Sequence, residues 1–164
     1  MNVLIEFFDE EPIENLITCT HFHMDKVICF GYKPIMTLEG RGKLKRSHKA
    51  LCGDHEMEFV EVPYGDLNEI VDIMDGVLIM TVNPGFAGQK LAESTLDKIA
   101  EVRALAEQAG KKDLLIEVDG NVSFENAVRM SRKGADIFVA GTSSVFRKDM
   151  TMDAAIEKLK ESVR

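Results

Sequence analysis

The sequence lacks an apolar run long enough to cross a membrane and lacks the cationic start of a secretory signal. A membrane-spanning helix needs roughly 18 or more consecutive apolar residues, and no segment approaches that length. The first eight residues run directly into an acidic stretch, which differs from the pattern of a signal peptide. We therefore expect a soluble, cytoplasmic protein.

Cysteine is scarce, and its spacing excludes the usual disulfide and zinc patterns. The three cysteines, Cys19, Cys29 and Cys52, are odd in number, form no C-x-x-C pair and lie in or beside apolar segments. Reduced thiols in the core of a cytosolic protein fit this pattern better than a disulfide framework or a zinc site.

Positive charge is in the minority, and the chain is short. Lys and Arg total 20 against 28 Asp and Glu, a formal net charge of −8. Because nucleic acids and membrane surfaces are anionic, this balance argues against a general binder of either, although a small anion can still bind locally. The 164 residues can bury a sizeable core, but a complete (β/α)8 barrel takes about 250 residues.

The most informative stretch is an apolar run followed by a glycine-containing loop at residues 77–89. Val77 to Val82 predicts a buried strand, and Asn83 to Gln89 predicts a tight loop. Its two glycines allow consecutive N–H groups to face an anion such as phosphate. Two later strands end in Asp119-Gly120-Asn121 and Gly141-Thr142-Ser143-Ser144. Since ligands of parallel α/β proteins bind at the carboxyl ends of strands, we expect the three loops to converge on one mouth.

Three strand-and-helix units are predicted from residue 77 to the end of the chain. Their later strands are expected at 114–118 and 137–140, and each following helix has one apolar face. The helix boundaries are predicted from a capping box at Ser94 and Asp97, from caps at Ser123 and Thr151, and from stops at Gly110 and Gly134.

The first portion of the chain, about 60 residues, predicts half of an open α/β sheet with parallel strands. Strands are expected at 2–8, 26–32 and 57–62, separated by helices. Asp9 to Pro12 has the acidic residues and proline typical of a helix start. The basic segment from Arg41 to Lys49 has helical spacing and is expected to be a solvated face. An amphipathic helix is predicted at 66–75.

Part of this first portion resembles the amino-terminal, Rossmann-like part of the CRISPR-associated (CARF-like) nucleotide sensor family. The resemblance is carried by V-L-I-E-F-F-D-E-E-P-I-E-N-L at 3–16 and by D-K-V-I at 25–28 before Gly31-Tyr32. It covers about residues 2–70. No nuclease segment of that family follows, so the resemblance implies a Rossmann-like half at 1–70 without a cleavage activity.

The later portion is similar to the carboxy-terminal half of the ribulose-phosphate 3-epimerase family, including its allulose-6-phosphate relatives. The matching residues are M-T-V-N-P-G-F-A-G-Q at 80–89, E-V-D-G at 117–120, G-A-D at 134–136 and V-A-G-T-S at 139–143. They lie in family order and cover about residues 72–164. In that family a (β/α)8 barrel binds a divalent metal (Zn, Fe, Mn or Co) and moves a proton at C3 of a ketose phosphate.

This resemblance implies an α/β fold in which a half (β/α)8-barrel at 71–164 packs with the Rossmann-like half into one compact unit. It implies that Asp119 is a catalytic acid/base and a metal ligand. The phosphate-binding and substrate-binding residues that it implies are Met80, Asn83, Gly85, Phe86, Ala87, Gly88, Gly120, Asn121, Gly141, Thr142 and Ser143.

The chain departs from the family where the remaining catalytic groups belong. The family's first half supplies two histidines and a partner aspartate, and residues 1–70 contain no matching strand contexts. The segment from His21 to Asp25 has suitable ligand types, but it precedes a strand, so an exposed loop is the preferred interpretation. Met74-Asp75-Gly76 is interpreted as a helix-to-strand turn.

The preferred prediction is therefore a sugar-phosphate 3-epimerase-like protein with an incomplete catalytic set. It would bind a phosphorylated ketose, would be an isomerase if active, and would suit a homodimer because half-barrels expose an apolar edge. Two alternatives stay open from the sequence. One is a non-catalytic nucleotide or phosphate sensor, and the other is a recombined chimera without an evolved function.

Overall fold

Six strands form one mixed sheet, with three helices following its last three strands. The computed structural model describes residues 26–31, 47–52, 55–72, 74–83 and 88–164. The strand order across the sheet is β2-β3-β1-β4-β5-β6. The elements are β1 (Lys26–Gly31), β2 (Ser47–Cys52), β3 (His55–Pro63), a 3₁₀ helix (Tyr64–Glu69), β4 (Gly76–Met80), α1 (Ser94–Gln108), β5 (Leu115–Asp119), α2 (Phe124–Lys133), β6 (Ile137–Val139) and α3 (Met152–Ser162).

The half of the sheet formed by β4, β5 and β6 is parallel, as predicted. Asp119 lies between Met80 of β4 and Val139 of β6 in the strand register. Along β5 the side chains alternate, so that Ile116 and Val118 are fully buried while the intervening residues are half-buried. Because α1 packs against β4 and β5, and α2 packs between α1 and α3, the helices cover one face of these strands. The three predicted strand-and-helix units are confirmed.

Local sequence signals set most of the helix boundaries. Ser123 Oγ accepts a hydrogen bond from Asn126 N at 3.2 Å, and Gly134 ends α2 with φ of +106°. Thr151 Oγ1 caps α3 in the same way, and α1 stops just before Gly110. The predicted capping box at Ser94 and Asp97 is wrong. Glu93 occupies the N-cap position without a side-chain cap, and Thr95 Oγ1 instead donates to the Ala92 carbonyl at 2.6 Å.

The predicted parallel arrangement is wrong for the other half of the sheet. β1 pairs antiparallel with both β3 and β4, and β2 pairs antiparallel with β3. Cys52 lies opposite His55 with only residues 53 and 54 between them. A parallel pair needs a crossover of about a dozen residues or more, so a two-residue connection permits only a hairpin. The helical spacing predicted up to Lys49 is also wrong for its last residues, which lie in β2.

The prediction of an amphipathic helix at 66–75 is confirmed for the burial of its apolar side, but the type of helix is wrong. The segment is a 3₁₀ helix that ends at Glu69, after which the N–H groups of Ile70 and Val71 both donate to the Leu67 carbonyl. The four apolar residues expected on one side of this helix are all buried: Leu67, Ile70, Val71 and Met74. The predicted turn into β4 is confirmed, because Asp75 immediately precedes that strand and its carbonyl accepts from Leu115 N at 3.0 Å.

Several sequence predictions lie outside the described residues: the strand at 2–8, the helix start at 9–12, the segment at 21–25 and the part of the basic segment before Ser47. The division into a half at 1–70 and a half at 71–164 stays a prediction. Within the described ranges, none of the helices has the length and apolar character required to span a bilayer.

Arg103 forms hydrogen bonds at the end of the sheet where β5 and β6 begin. Its guanidinium donates to the Leu114 carbonyl at 2.9 Å, to the Gly134 carbonyl at 2.8 Å and to the Asp136 carboxylate. The same carboxylate accepts from Ile116 N at 2.9 Å. One side chain from α1 therefore holds the starts of two strands and the end of α2.

Candidate functional site

Asp119 is the last residue of β5, the middle strand of the parallel half. Its side chain lies on the face of β5 opposite the helices, and burial raises the pKa of its carboxyl group. A carboxylate whose pKa moves toward neutrality is suited to both removing and returning a proton. Glu117, two residues earlier, lies on the same face of the strand.

Thr81 holds the backbone of this strand end. Thr81 N donates to the Asp119 carbonyl at 2.7 Å, and Thr81 Oγ1 donates to the same oxygen at 2.9 Å and to the Gly120 carbonyl. Thr81 is fully buried, so these bonds are protected from water. The Thr81 carbonyl accepts a hydrogen bond from Ala92 N at 2.9 Å, which holds the far end of the loop after β4 beside the end of β4.

The two residues after Asp119 adopt backbone conformations that most side chains disfavour. Gly120 has φ of +119° and Asn121 has φ of +47°; Asn121 is the one non-glycine residue with positive φ in the described ranges. A Cβ on Gly120 would lie 2.6 Å from Val82 Cγ2. Gly120 therefore lets the β5 loop cross directly over the start of the β4 loop.

The loop after β4 contacts the loop after β5, as predicted. Gln89 Nε2 donates to the Asn83 carbonyl, and Asn121 Nδ2 donates to the Gln89 carbonyl. Met80, also assigned to the site, is half-buried at the end of β4, and Gly88 is exposed with φ of +83°. The remaining members of this predicted loop, Gly85, Phe86 and Ala87, lie outside the described residues.

The third predicted loop follows β6, beside Asp119. The Gly141 carbonyl accepts from Ser144 N at 3.0 Å and from Phe146 N at 3.2 Å, which forms a tight turn. Thr142 is exposed and Ser143 is half-buried. Ser144 is fully buried, and its hydroxyl has no hydrogen-bond partner in the described part of the chain.

Sequence reasoning missed Thr81 and Asn126, which organise the site through hydrogen bonds. Asn126 Nδ2 donates to the Asn121 carbonyl at 3.0 Å. The partners of Thr81 lie 38 and 39 residues away in sequence, so no local pattern reveals them. The one local signal for Asn126 was its residue type. Asparagine is a weak helix former, and it was not needed as a cap because Ser123 was already assigned to that position.

The described residues do not by themselves form a metal centre. Across the described ranges, no three His, Cys, Asp or Glu side chains come together in a way that could hold a metal ion. Asp119 is the single ligand that the family resemblance assigns among them. Structural and catalytic zinc centres use three or more protein ligands, and the described residues supply only this one.

Replacing Asp119 should stabilise the fold at neutral pH. Since burial raises the pKa of Asp119 in the folded state, folding favours the protonated carboxyl, and stability falls as pH rises from the unfolded-state pKa through the folded-state pKa. We expect Asp119→Asn to unfold at a higher urea concentration than the natural chain at pH 7. The gain should vanish below the ordinary aspartate pKa, where both side chains are neutral. A pH-independent difference would contradict the assigned cause.

Comparison with known proteins agrees with the carboxy-terminal resemblance. The sequence profile described as the ribulose-phosphate 3 epimerase family matches residues 58–146, more than half of the chain. The match runs from β3 through the loop after β6 and so includes all three strand-end loops. The CARF-like resemblance of residues 2–70 receives no support from these comparisons.

Individual relatives carry the same name. The chain is 48% identical to a ribulose-phosphate 3-epimerase of Bacillus subtilis over 87 residues, which are 53% of this chain and 40% of the relative. It is 43% identical to the enzyme of Serratia marcescens over 81 residues (49% and 38%), and 41% identical to that of Buchnera aphidicola over 97 residues (57% and 42%). The chain thus spans about two fifths of the length of these curated relatives. By the extent of the profile match, the chain belongs to the ribulose-phosphate 3-epimerase family.

Proposed function

We propose that this chain binds a phosphorylated ketose, ribulose 5-phosphate or a close relative, at the carboxyl ends of β4, β5 and β6, with Asp119 as the carboxylate that exchanges the C3 proton. The observation that carries the proposal is the position of Asp119. It ends the central parallel strand, its pKa is raised by burial, and its backbone is held by Thr81.

The chemistry requires a base beside an acidic C–H bond. The carboxylate of Asp119 accepts the proton from C3, the electron pair of the C–H bond moves toward the C2 carbonyl, and an enediolate forms. Return of a proton to the opposite face inverts C3. A second acid/base group on that opposite face is needed, and none of the described residues is assigned to it. A divalent metal, which the family implies, would stabilise the enediolate when bound.

The phosphate is assigned to the loops that flank Asp119. Gly88 and Gly141 have no Cβ to shield their backbone, and none of the described atoms lies within 4 Å of the place where a Cβ would be. The buried Ser144 hydroxyl supports the same assignment, because an unpaired buried hydroxyl is costly unless a ligand or water bonds to it. The net charge of −8 does not oppose this, because a phosphate is bound by local backbone dipoles.

Binding and proton exchange test the proposal separately. Titration followed by NMR should show that ribulose 5-phosphate binds and that unphosphorylated ribulose binds at least about tenfold more weakly, since the charge-assisted bonds to phosphate are lost. Equal affinity for the two sugars, or binding of neither, would contradict the phosphate site.

Loss of the C3 proton signal in D₂O, measured with and without added Mn²⁺, tests the role of Asp119. We expect Asp119→Asn to slow any exchange by about 100-fold or more, the usual contribution of a general base. Asp113→Asn is the matched control, because Asp113 is exposed and lies just before the start of the same strand. Exchange that persists in Asp119→Asn, or that is lost equally in Asp113→Asn, would remove Asp119 from this role.

A further inference from the structure

Asn126 uses its whole side-chain amide in contacts outside its own helix cap. It lies in the first turn of α2, where Ser123 already supplies the N-cap. Asn126 Nδ2 donates to the Asn121 carbonyl at 3.0 Å and to Asn121 Oδ1 at 3.1 Å. Its own Oδ1 accepts from Arg129 Nη1 at 3.3 Å. The side chain therefore connects the loop after β5 to the next turn of α2.

Asn121 is also hydrogen-bonded to the loop after β4. Its backbone is in the left-handed region with φ of +47°, a conformation that asparagine tolerates at some cost. In this conformation its Oδ1 faces Asn126 while its Nδ2 donates to the Gln89 carbonyl. Both ends of one amide are thus engaged, and the bonds cross 5 residues in one direction and 32 in the other.

The hydrogen bonds from Asn126 through Asn121 to Gln89 form one arm. A second arm, from Arg129 to Glu93, reaches the same loop. Its guanidinium pairs with the Glu93 carboxylate, with one of the two bonds at 3.2 Å. Glu93 and Gln89 bracket Ala92, whose N–H is bonded to the Thr81 carbonyl at 2.9 Å. The returning half of the β4 loop is therefore held at Gln89 by Asn121, in the loop after β5, and at Glu93 by Arg129, in α2.

We propose that Asn126 is a positioning residue for the sugar-phosphate site: through Asn121 and Arg129 it fixes the distance between the loop after β5, which directly follows the acid/base Asp119, and the loop after β4, which is assigned to phosphate. The proposal rests on the proposed function for the identity of the ligand, and on the hydrogen bonds alone for the coupling of the two loops. Asn126 itself is not a catalytic residue.

The location of these hydrogen bonds favours a positioning role for Asn126 over a general role in stability. Both arms end on residues of a loop, and none of their members belongs to the fully buried core. The Arg129–Glu93 pair is exposed, with side chains 38% and 70% accessible, and such pairs contribute little. The arm from Asn126 through Asn121 is half-buried, so it should dominate, and its loss should loosen the loop without unfolding the domain.

The test compares two variants that cut this arm with one that does not. Asn126→Asp removes both bonds to Asn121 while keeping an oxygen for Arg129. Asn121→Gly removes the bond to Gln89 and accepts the left-handed backbone without strain. Ser162→Ala is the control, because it removes a 2.8 Å side-chain bond to the Lys158 carbonyl on α3, far along the chain from the two loops. All are made in the full chain.

Two measurements decide the outcome. Amide hydrogen exchange should accelerate about tenfold or more at Ala92 in both variants and stay unchanged at Ala135, whose N–H is bonded to Met130. The dissociation constant for ribulose 5-phosphate should rise about tenfold or more, while the thermal midpoint moves by less than about 4 °C. The double variant should lose no more than either single variant, because both cut the same arm.

The results separate this proposal from the proposed function. Unchanged exchange at Ala92, or unchanged affinity in a chain that binds ribulose 5-phosphate, would overturn the positioning role. Faster exchange at Ala92 in a chain that never binds the ligand would overturn the proposed function and leave the loop coupling standing. A similar effect of Ser162→Ala would show that the changes are nonspecific and would also overturn the proposal.

Discussion

Gly120→Ala is expected to lower the free energy of unfolding by about 2–5 kcal/mol, from the separate costs of a strained backbone and an overpacked contact. Gly120 has φ of +119°, and an added Cβ would lie 2.6 and 2.9 Å from the two methyl carbons of Val82 and 3.0 Å from its backbone nitrogen. The methyl groups can rotate away, but the backbone nitrogen cannot, because β4 and the Thr81 bonds hold it. Urea unfolding measures the loss.

Two other glycines separate the two costs. Gly110 also has a positive φ, +76°, but no described atom would lie within 4 Å of an added Cβ, so Gly110→Ala should lose only the conformational part, about 1–2 kcal/mol. Gly141 has open space and no left-handed φ, so Gly141→Ala should change stability by less than about 1 kcal/mol. If Gly120→Ala costs no more than Gly110→Ala, the contact with Val82 is not tight.

A double variant tests the contact itself. Val82→Ala removes both methyl carbons that the new Cβ would meet and leaves the backbone nitrogen and the φ of Gly120 unchanged. Gly120→Ala combined with Val82→Ala should therefore recover part of the loss, and the non-additivity of the two changes reports the coupling. Strict additivity would contradict the close approach of the two loops.

Arg103→Met is expected to lower the free energy of unfolding by about 2–4 kcal/mol, because it leaves two carbonyls and one carboxylate without their charged donor. The Arg103 side chain is 19% exposed and that of Asp136 is 40% exposed. The loss of stability should therefore be smaller than for a fully buried pair. Urea unfolding at neutral pH gives the difference. A loss below about 0.5 kcal/mol would contradict the role of Arg103 at this end of the sheet.

Charge alone does not replace Arg103. Arg103→Lys should recover less than half of the loss, because a lysine ammonium lacks the planar fork that reaches the Leu114 carbonyl, the Gly134 carbonyl and the Asp136 carboxylate together. The surface pair of Lys133 with Asp97 is the control, since its side chains are 41% and 73% exposed. Lys133→Met should cost about 0–1 kcal/mol.

The parallel half of the fold was predictable because its signals are local. Each strand is a short apolar run, each helix has one apolar face, and Ser123, Gly134 and Thr151 act within one turn of their own position. The antiparallel half depended on the direction in which strands pair. That direction is limited by the length of a connection, and the helical spacing expected from Arg41 to Lys49 hid the two-residue connection between Cys52 and His55.

The candidate site was predictable as a set of residue types and positions, and unpredictable as a set of contacts. The position of Asp119 and of the loops after β4 and β6 at strand ends was visible in the sequence, and their roles were implied by the family resemblance. The bonds from Thr81 to Asp119 and from Asn121 to Gln89 join residues more than 30 positions apart. Such pairs become visible only when the register of β4 against β5 is known.

The direction of β1 changes what one end of the sheet contains. The register pairs Ile28 with Leu78 and Phe30 with Gly76, so β1 begins at the end of the sheet where β4 finishes. β3 finishes there as well, because Pro63 lies opposite Lys26. The rule that ligands lie where strands finish describes a sheet whose strands all run the same way. In this mixed sheet, the end that carries Asp119 is formed by the finish of some strands and the start of another.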